Sequence, residues 1–142
     1  MNTSANVIEN RKLRIFLVED NQDTREVVAR ILEGDGHSIY AVGSVEAALR
    51  DFRLSANDVL LTDVGLPDGS GLDLIRELRQ RGEAPYAIAM SGYGSSEDCA
   101  ESAAAGFMHH LVKPFDFDEL VRLLESIPSD SAEQRIGPTS DG

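Results

Sequence analysis

The sequence predicts an α/β fold, a five-stranded parallel sheet with helices on both faces, and three observations carry that expectation. Short apolar runs alternate with segments of helical spacing five times between Leu13 and Ile127. The first of those runs, Leu13 to Val18, is nearly all apolar, which is the pattern of a strand covered on both sides. Parallel neighbours also need a crossover, and the helical segments supply one each time, right-handed by the general rule.

The first strand is Leu13 to Val18. After it, Val27, Val28, Ile31 and Leu32 recur at helical spacing, and Gly34 and Gly36 end that segment. A short strand from His37 to Val42 leads to Ser44, an N-cap for a helix burying Val45, Ala48, Leu49 and Phe52. Asp58 to Asp63 is the third strand, and a turn-rich loop, Gly65-Leu66-Pro67-Asp68-Gly69-Ser70-Gly71, follows it at once. The third helix, from about Ser70, sets Leu72, Ile75 and Leu78 on one side before Gly82. Tyr86 to Met90 reads as the fourth strand. Ser95-Ser96-Glu97-Asp98 is a capping pattern opening an Ala-rich fourth helix. Met108 to Val112 is the fifth strand. Asp116-Phe117-Asp118-Glu119 opens a last helix with Phe117, Leu120, Val121 and Leu124 on its inner stripe.

This places one domain over 13–127, a polar N-terminal extension over 1–12 and a flexible C-terminal tail over 128–142, rich in Ser, Pro, Gly and acids. A chain of 142 residues with 42% hydrophobic and 27% charged residues matches an ordinary soluble globular protein. A domain of this size needs no disulfide or structural metal to stay folded. No stretch approaches the ~20 apolar residues that span a bilayer, and the N-terminus lacks the apolar core of a signal peptide. A cytoplasmic location is the expectation. The net charge of −12, with 25 acids against 13 bases, argues against direct nucleic-acid binding, which relies on Lys and Arg at phosphates. The single Cys99 forms no internal disulfide and reads as an inert thiol.

Chemistry gathers where the strands end. The first strand delivers Glu19-Asp20, the third ends in Asp63, the fourth delivers Ser91-Gly92, and the fifth delivers Lys113-Pro114. In a parallel sheet those carboxyl ends lie along one edge, where open α/β sheets bind ligands. Three carboxylates drawn together repel one another strongly unless a cation joins them. Mg²⁺ fits, because it takes a few carboxylates together with waters and phosphate oxygens. A carboxylate can attack phosphorus to form an acyl phosphate. The charge spread over the phosphoryl oxygens in the transition state calls for a cation, an ammonium and a hydroxyl. Asp63, Lys113 and Ser91 are the candidates for nucleophile, ammonium and hydroxyl.

Val18-Glu19-Asp20-Asn21, Leu61-Thr62-Asp63-Val64-Gly65-Leu66-Pro67, Ser91-Gly92-Tyr93-Gly94 and Lys113-Pro114-Phe115 resemble the motifs of the receiver domain of two-component response regulators. The resemblance covers nearly the whole chain outside the termini. It implies the CheY-like, flavodoxin-type (βα)5 fold with strand order 2-1-3-4-5. It implies Asp63 as phosphoacceptor and a Mg²⁺ site made by Asp20, Asp63, the backbone carbonyl of Gly65, and Glu19 either directly or through water. Ser91 would be the switch hydroxyl, paired with Lys113 at the phosphoryl group. The peptide bond before Pro114 is cis in the family. The phosphoryl donor would be a histidine kinase or histidine phosphotransfer protein, the reader a downstream protein partner, and autodephosphorylation the reset. The domain would be a signalling module rather than a turnover enzyme. Two settings fit the resemblance, a stand-alone receiver and the receiver of a hybrid histidine kinase, with no oligomeric state implied.

One position departs from that pattern: the family usually has Tyr or Phe three residues before the lysine, turning inward when the hydroxyl moves, and this chain has His110. Three rivals stand beside the main reading. They are a degenerate receiver acting without phosphorylation, a flavodoxin-like cofactor binder, and a Mg²⁺-dependent hydrolase of small phosphorylated molecules. The acids at 19 and 20 oppose the cofactor binder, since a phosphate cradle there wants Gly, Ser or Thr. His109 and His110 point to opposite faces of a strand and do not grip one ion. His37 reads as a surface residue, Asp68 as turn chemistry without a further role, and Tyr93 either as a ring over the mouth of the site or as a plain surface aromatic.

Overall fold

The computed structural model describes residues 12–92, 94 and 96–128 of the chain. Tyr93, Ser95 of the capping pattern, the N-terminal extension as far as residue 11 and the tail from 129 lie outside the described residues. The chain divides into two compact units. Lys12–Pro114 holds the sheet, and the described residues from Phe115 onward belong to the other.

Five strands pair in parallel: β1 (Arg14–Val18), β2 (Ser38–Val42), β3 (Val59–Asp63), β4 (Tyr86–Ser91) and β5 (His109–Val112). Their order is β2-β1-β3-β4-β5, as the sequence leads one to expect. The helices are α1 (Gln22–Gly34), α2 (Val45–Asp51), α3 (Gly71–Gln80), α4 (Ser96–Ala105) and, in the second unit, α5 (Phe117–Glu125). Asn21, Ser44 and Ser70 cap α1, α2 and α3 by accepting backbone N–H groups of the first turn.

Apolar side chains on the central strands explain why the sheet forms. Phe16 and Val18 of β1, Leu60 of β3, and Ala87 and Ala89 of β4 face one way. They join Ala48 of α2, Phe52 just after it, Leu74, Ile75 and Leu78 of α3, and Phe107 in one cluster. Alternation turns Ile15, Leu17, Val59, Leu61, Ile88 and Met90 to the other face, and all are fully buried. There α1 packs along β1 and β2 and buries Val28 and Leu32. Each such Leu, Ile or Phe contributes roughly 1.5–3 kcal/mol relative to exposure. In the second unit α5 buries Leu120 and Leu124 and half-buries Phe117 and Val121, so its apolar stripe is the expected one.

Several local features were not anticipated. A 3-10 turn, Leu54–Ala56, precedes β3, and two-residue strands Gly65–Leu66 and Gly69–Ser70 pair antiparallel in the loop after β3. Phe52 stands just after α2 as its C-cap rather than within it. Gly34 is the last residue of α1; it is Gly36, at φ 98°, that takes the left-handed turn, a conformation that strains any other residue. His37 is half-buried instead of a plain surface residue, and its Nδ1 accepts the Leu13 N–H at 3.0 Å. Among the described residues no helix is long and apolar enough to cross a membrane.

Candidate functional site

Strand register brings the candidate residues to one edge. Val18 lies beside Val42 and Thr62, Asp63 beside Met90, and Ser91 beside Val112. The next residues along β1 and β5, Glu19 and Lys113, therefore emerge with Asp63 and Ser91. The ladder runs on by a residue, since Glu19 N–H donates to Val42 O at 3.0 Å and Lys113 N–H to Ser91 O at 2.6 Å. That extra step holds Glu19 inside, at 1% exposure, while Asp20 beyond it is exposed.

Ligand oxygens of Glu19, Asp20 and Asp63 all lie within 4.8 Å of one another. Lys113 bridges two of them, with Nζ 2.7 Å from Glu19 Oε1 and 2.8 Å from Asp63 Oδ2. Burial pulls the ammonium toward its neutral form, but hydrogen bonds and charge from Asp63 and Glu19 outweigh it and raise its pKa above the ordinary value. The Asn21 N–H donates to Glu19 Oε2 at 3.1 Å, and Arg25 of α1 donates to the Glu19 carbonyl at 2.7 Å. The Lys113–Pro114 peptide bond is cis, as the resemblance implies.

Behind Asp63 the backbone is close-packed. Val64 N–H donates to Met90 O and Gly71 N–H to Val64 O. A Cβ at position 71 would lie 2.5 Å from Asp63 O, so only glycine lets α3 start there. Gly65 sits beside the carboxylate, its N–H 3.4 Å from Asp63 Oδ1.

Three carboxylates against one ammonium leave excess negative charge, and all the donors are hard oxygens. That set fits Mg²⁺. Glu19, Asp20 and Asp63 are the side chains able to hold it.

Ser91 and His110 meet directly. Ser91, at 5% exposure, has its Oγ 2.7 Å from His110 Nε2, and the other ring nitrogen, Nδ1, is 2.9 Å from Ser102 Oγ on α4. Ser102, 2% exposed, was not singled out from the sequence; a serine in an Ala-rich helix carries no local signal. Asp68 does more than turn the chain. Its two oxygens accept the Val45 and Glu46 N–H groups at 2.8 and 2.9 Å, tying the loop after β3 to the start of α2. Those two backbone bonds hold its carboxyl below the ordinary range. His109 turns away from His110 and meets Tyr86 Oη at 3.0 Å.

A parallel sheet bearing acids after β1 and at the end of β3 and a lysine after β5 defines a class, and comparison with known proteins gives it a name. The model of the response regulator receiver domain matches residues 15–125, and the chain belongs to that family of signalling domains. It is similar to the two-component response regulator PhoP of Pseudomonas aeruginosa, 36% identical over 115 residues, covering 81% of this chain and 51% of that protein. It is also similar to the KDP operon transcriptional regulatory protein KdpE of Escherichia coli, 34% identical over 75% of this chain and 47% of that one. The chain thus spans about half the length of these curated relatives. Among solved structures, the non-phosphorylated HemR receiver domain from Leptospira biflexa superposes with TM-score 0.75 at 26% identity, over 82% of this chain and 96% of that one. Receiver domains generally use Mg²⁺, in keeping with the acidic group at 19, 20 and 63.

Proposed function

We propose that Asp63 is the phosphoacceptor of this receiver domain, taking a phosphoryl group from a phosphohistidine on a histidine kinase or histidine phosphotransfer protein. An Asp63 carboxylate oxygen forms the new bond to phosphorus while the bond from phosphorus to the histidine nitrogen breaks. The observation that carries the reading is the Lys113 ammonium held between Asp63 and Glu19, with Asp20 beside them. Lys113 orients the Asp63 carboxylate, and as the phosphoryl group arrives it compensates part of the charge on the transferring oxygens. Glu19, Asp20, Asp63 and the Gly65 carbonyl would hold Mg²⁺. When bound, the ion supplies charge neutralisation for the carboxylates and phosphoryl oxygens. Ser91 offers its hydroxyl to the phosphoryl group. The folded domain on this reading is 13–127, and hydrolysis of the acyl phosphate by the domain itself resets it. A downstream protein partner reads the phosphorylated form.

Intact-mass measurement after incubation with acetyl phosphate and Mg²⁺ tests this. One phosphoryl group is expected on the chain and none on Asp63→Asn. Label persisting on that variant would move the acceptor elsewhere.

A further inference from the structure

We propose that Ser91, His110 and Ser102 form a hydrogen-bonded relay in which His110 and Ser102 are positioning residues: they orient the Ser91 hydroxyl and carry its movement into α4. The proposal rests on the reading of Asp63 as phosphoacceptor and Ser91 as the responding hydroxyl.

Three side chains joined by two hydrogen bonds define the relay. The His110 ring spans from Ser91 Oγ on β4, 2.7 Å from Nε2, to Ser102 Oγ on α4, 2.9 Å from Nδ1. Both serines are nearly inaccessible to water, at 5% and 2% exposure. A neutral imidazole has one donor and one acceptor nitrogen, so the directions of its two bonds are linked. If Nε2 accepts the Ser91 proton, Nδ1 donates to Ser102. If Ser91 turns its proton to a phosphoryl oxygen, Nε2 must donate to Ser91, and Nδ1 then accepts the Ser102 proton. The ring holds one proton in either arrangement; it only changes nitrogen, by exchange.

Movement is transmitted for a second reason. Buried hydroxyls that lose a partner are costly, because water does not replace it. When Ser91 shifts toward Asp63 the ring follows, and the bond at Nδ1 draws on Ser102 and so on α4. A phenylalanine at 110 has no polar atom to grip either serine, and a tyrosine hydroxyl lies beyond its ring. His110 is thus not a broken version of the usual aromatic residue. It couples through two hydrogen bonds where an aromatic ring couples by filling space.

The test uses the full chain, uniformly ¹⁵N-labelled, with acetyl phosphate and Mg²⁺, its label followed by intact mass. In the wild type, phosphorylation is expected to shift amide resonances of Ser96–Ala105 as well as those around Asp63. Histidine spectra are expected to show a proton on His110 Nε2 in the phosphorylated form. At matched label, Ser102→Ala and His110→Ala, which leaves neither a polar atom nor a ring, lose most of the α4 response, and Ser102→Thr, which keeps the hydroxyl, retains it. The loss amounts to about 2- to 10-fold in the switching equilibrium, the worth of one hydrogen bond. An α4 response in labelled Ser102→Ala equal to that of the wild type overturns the relay, as does an unprotonated Nε2 in the labelled protein. Wild-type protein that takes no label overturns the phosphoacceptor reading and the relay with it. Thermal melts of each variant separate loss of coupling from loss of fold.

Discussion

Replacing Asp20 by Asn is expected to make the metal-free protein more stable and the Mg²⁺-loaded protein relatively less stable, so the order of the two proteins reverses with the ion. The ligand oxygens of Glu19, Asp20 and Asp63 lie within 4.8 Å of one another. At that separation two unit charges repel by about 0.9 kcal/mol in water and about 3.5 kcal/mol at an effective dielectric of about 20. Asp20 is exposed, so the lower figure governs, and its two neighbours already share the Lys113 ammonium. Relief on substitution then comes to about 1 kcal/mol, or about 0.5 M in urea midpoint for a domain of this size. With Mg²⁺ at about 100 times its dissociation constant the wild type gains about 2.7 kcal/mol, most of which the variant forgoes. The assay is urea unfolding followed by far-ultraviolet circular dichroism, in EDTA and across a Mg²⁺ series. A variant less stable than the wild type in EDTA, or one that Mg²⁺ stabilises equally, would refute the reasoning.

Gly71→Ala brings a methyl group to 2.5 Å from Asp63 O and 3.2 Å from Val64 Cα, both backbone atoms; an overpacking loss of about 1–3 kcal/mol is expected in urea melts. Asp68→Ala frees the Val45 and Glu46 amides, so their hydrogen exchange speeds up and the midpoint falls. Because the folded state lowers the Asp68 pKa, its stabilisation is complete above the ordinary value of 3.8 and fades as pH falls through the lower folded value. The two proteins' stabilities therefore converge in acid, and a gap that persists there would count against the assignment. Lys113 shows the opposite sign. Its pKa is raised, so the stability difference between wild type and Lys113→Met holds below 10.5 and shrinks only as pH rises through the higher folded value. A gap already closing at neutral pH would contradict the ion pairs at Glu19 and Asp63.

The central sheet was legible because its strands are apolar runs that stop at charged or hydroxyl residues, as with Val18 before Glu19 and Leu61-Thr62 before Asp63. Once those runs are set parallel, the acids and the lysine meet without further information. Short or non-local features were not legible. The paired strands Gly65–Leu66 and Gly69–Ser70 are two residues each, too short for any periodicity. Asp68 reaches amides more than 20 residues earlier in the chain, outside the local capping patterns. Ser102 reaches His110 only because α4 folds back across β5. Lys113 was expected to meet a phosphoryl group. Its half-buried ammonium bonds Glu19 as well as Asp63, a pairing across 94 residues that no local pattern announces.

Arg25 and Gly43 share one small space. The guanidinium that donates to the Glu19 carbonyl would lie 2.8 Å from a Cβ built on residue 43. Anything larger than glycine there pushes the tip of the guanidinium aside, and a shortened residue 25 leaves room no glycine is needed to protect. These two positions, on separate crossovers, are expected to mutate in concert across related sequences, a covariation that marks the spot where the first acidic residue is buttressed from behind.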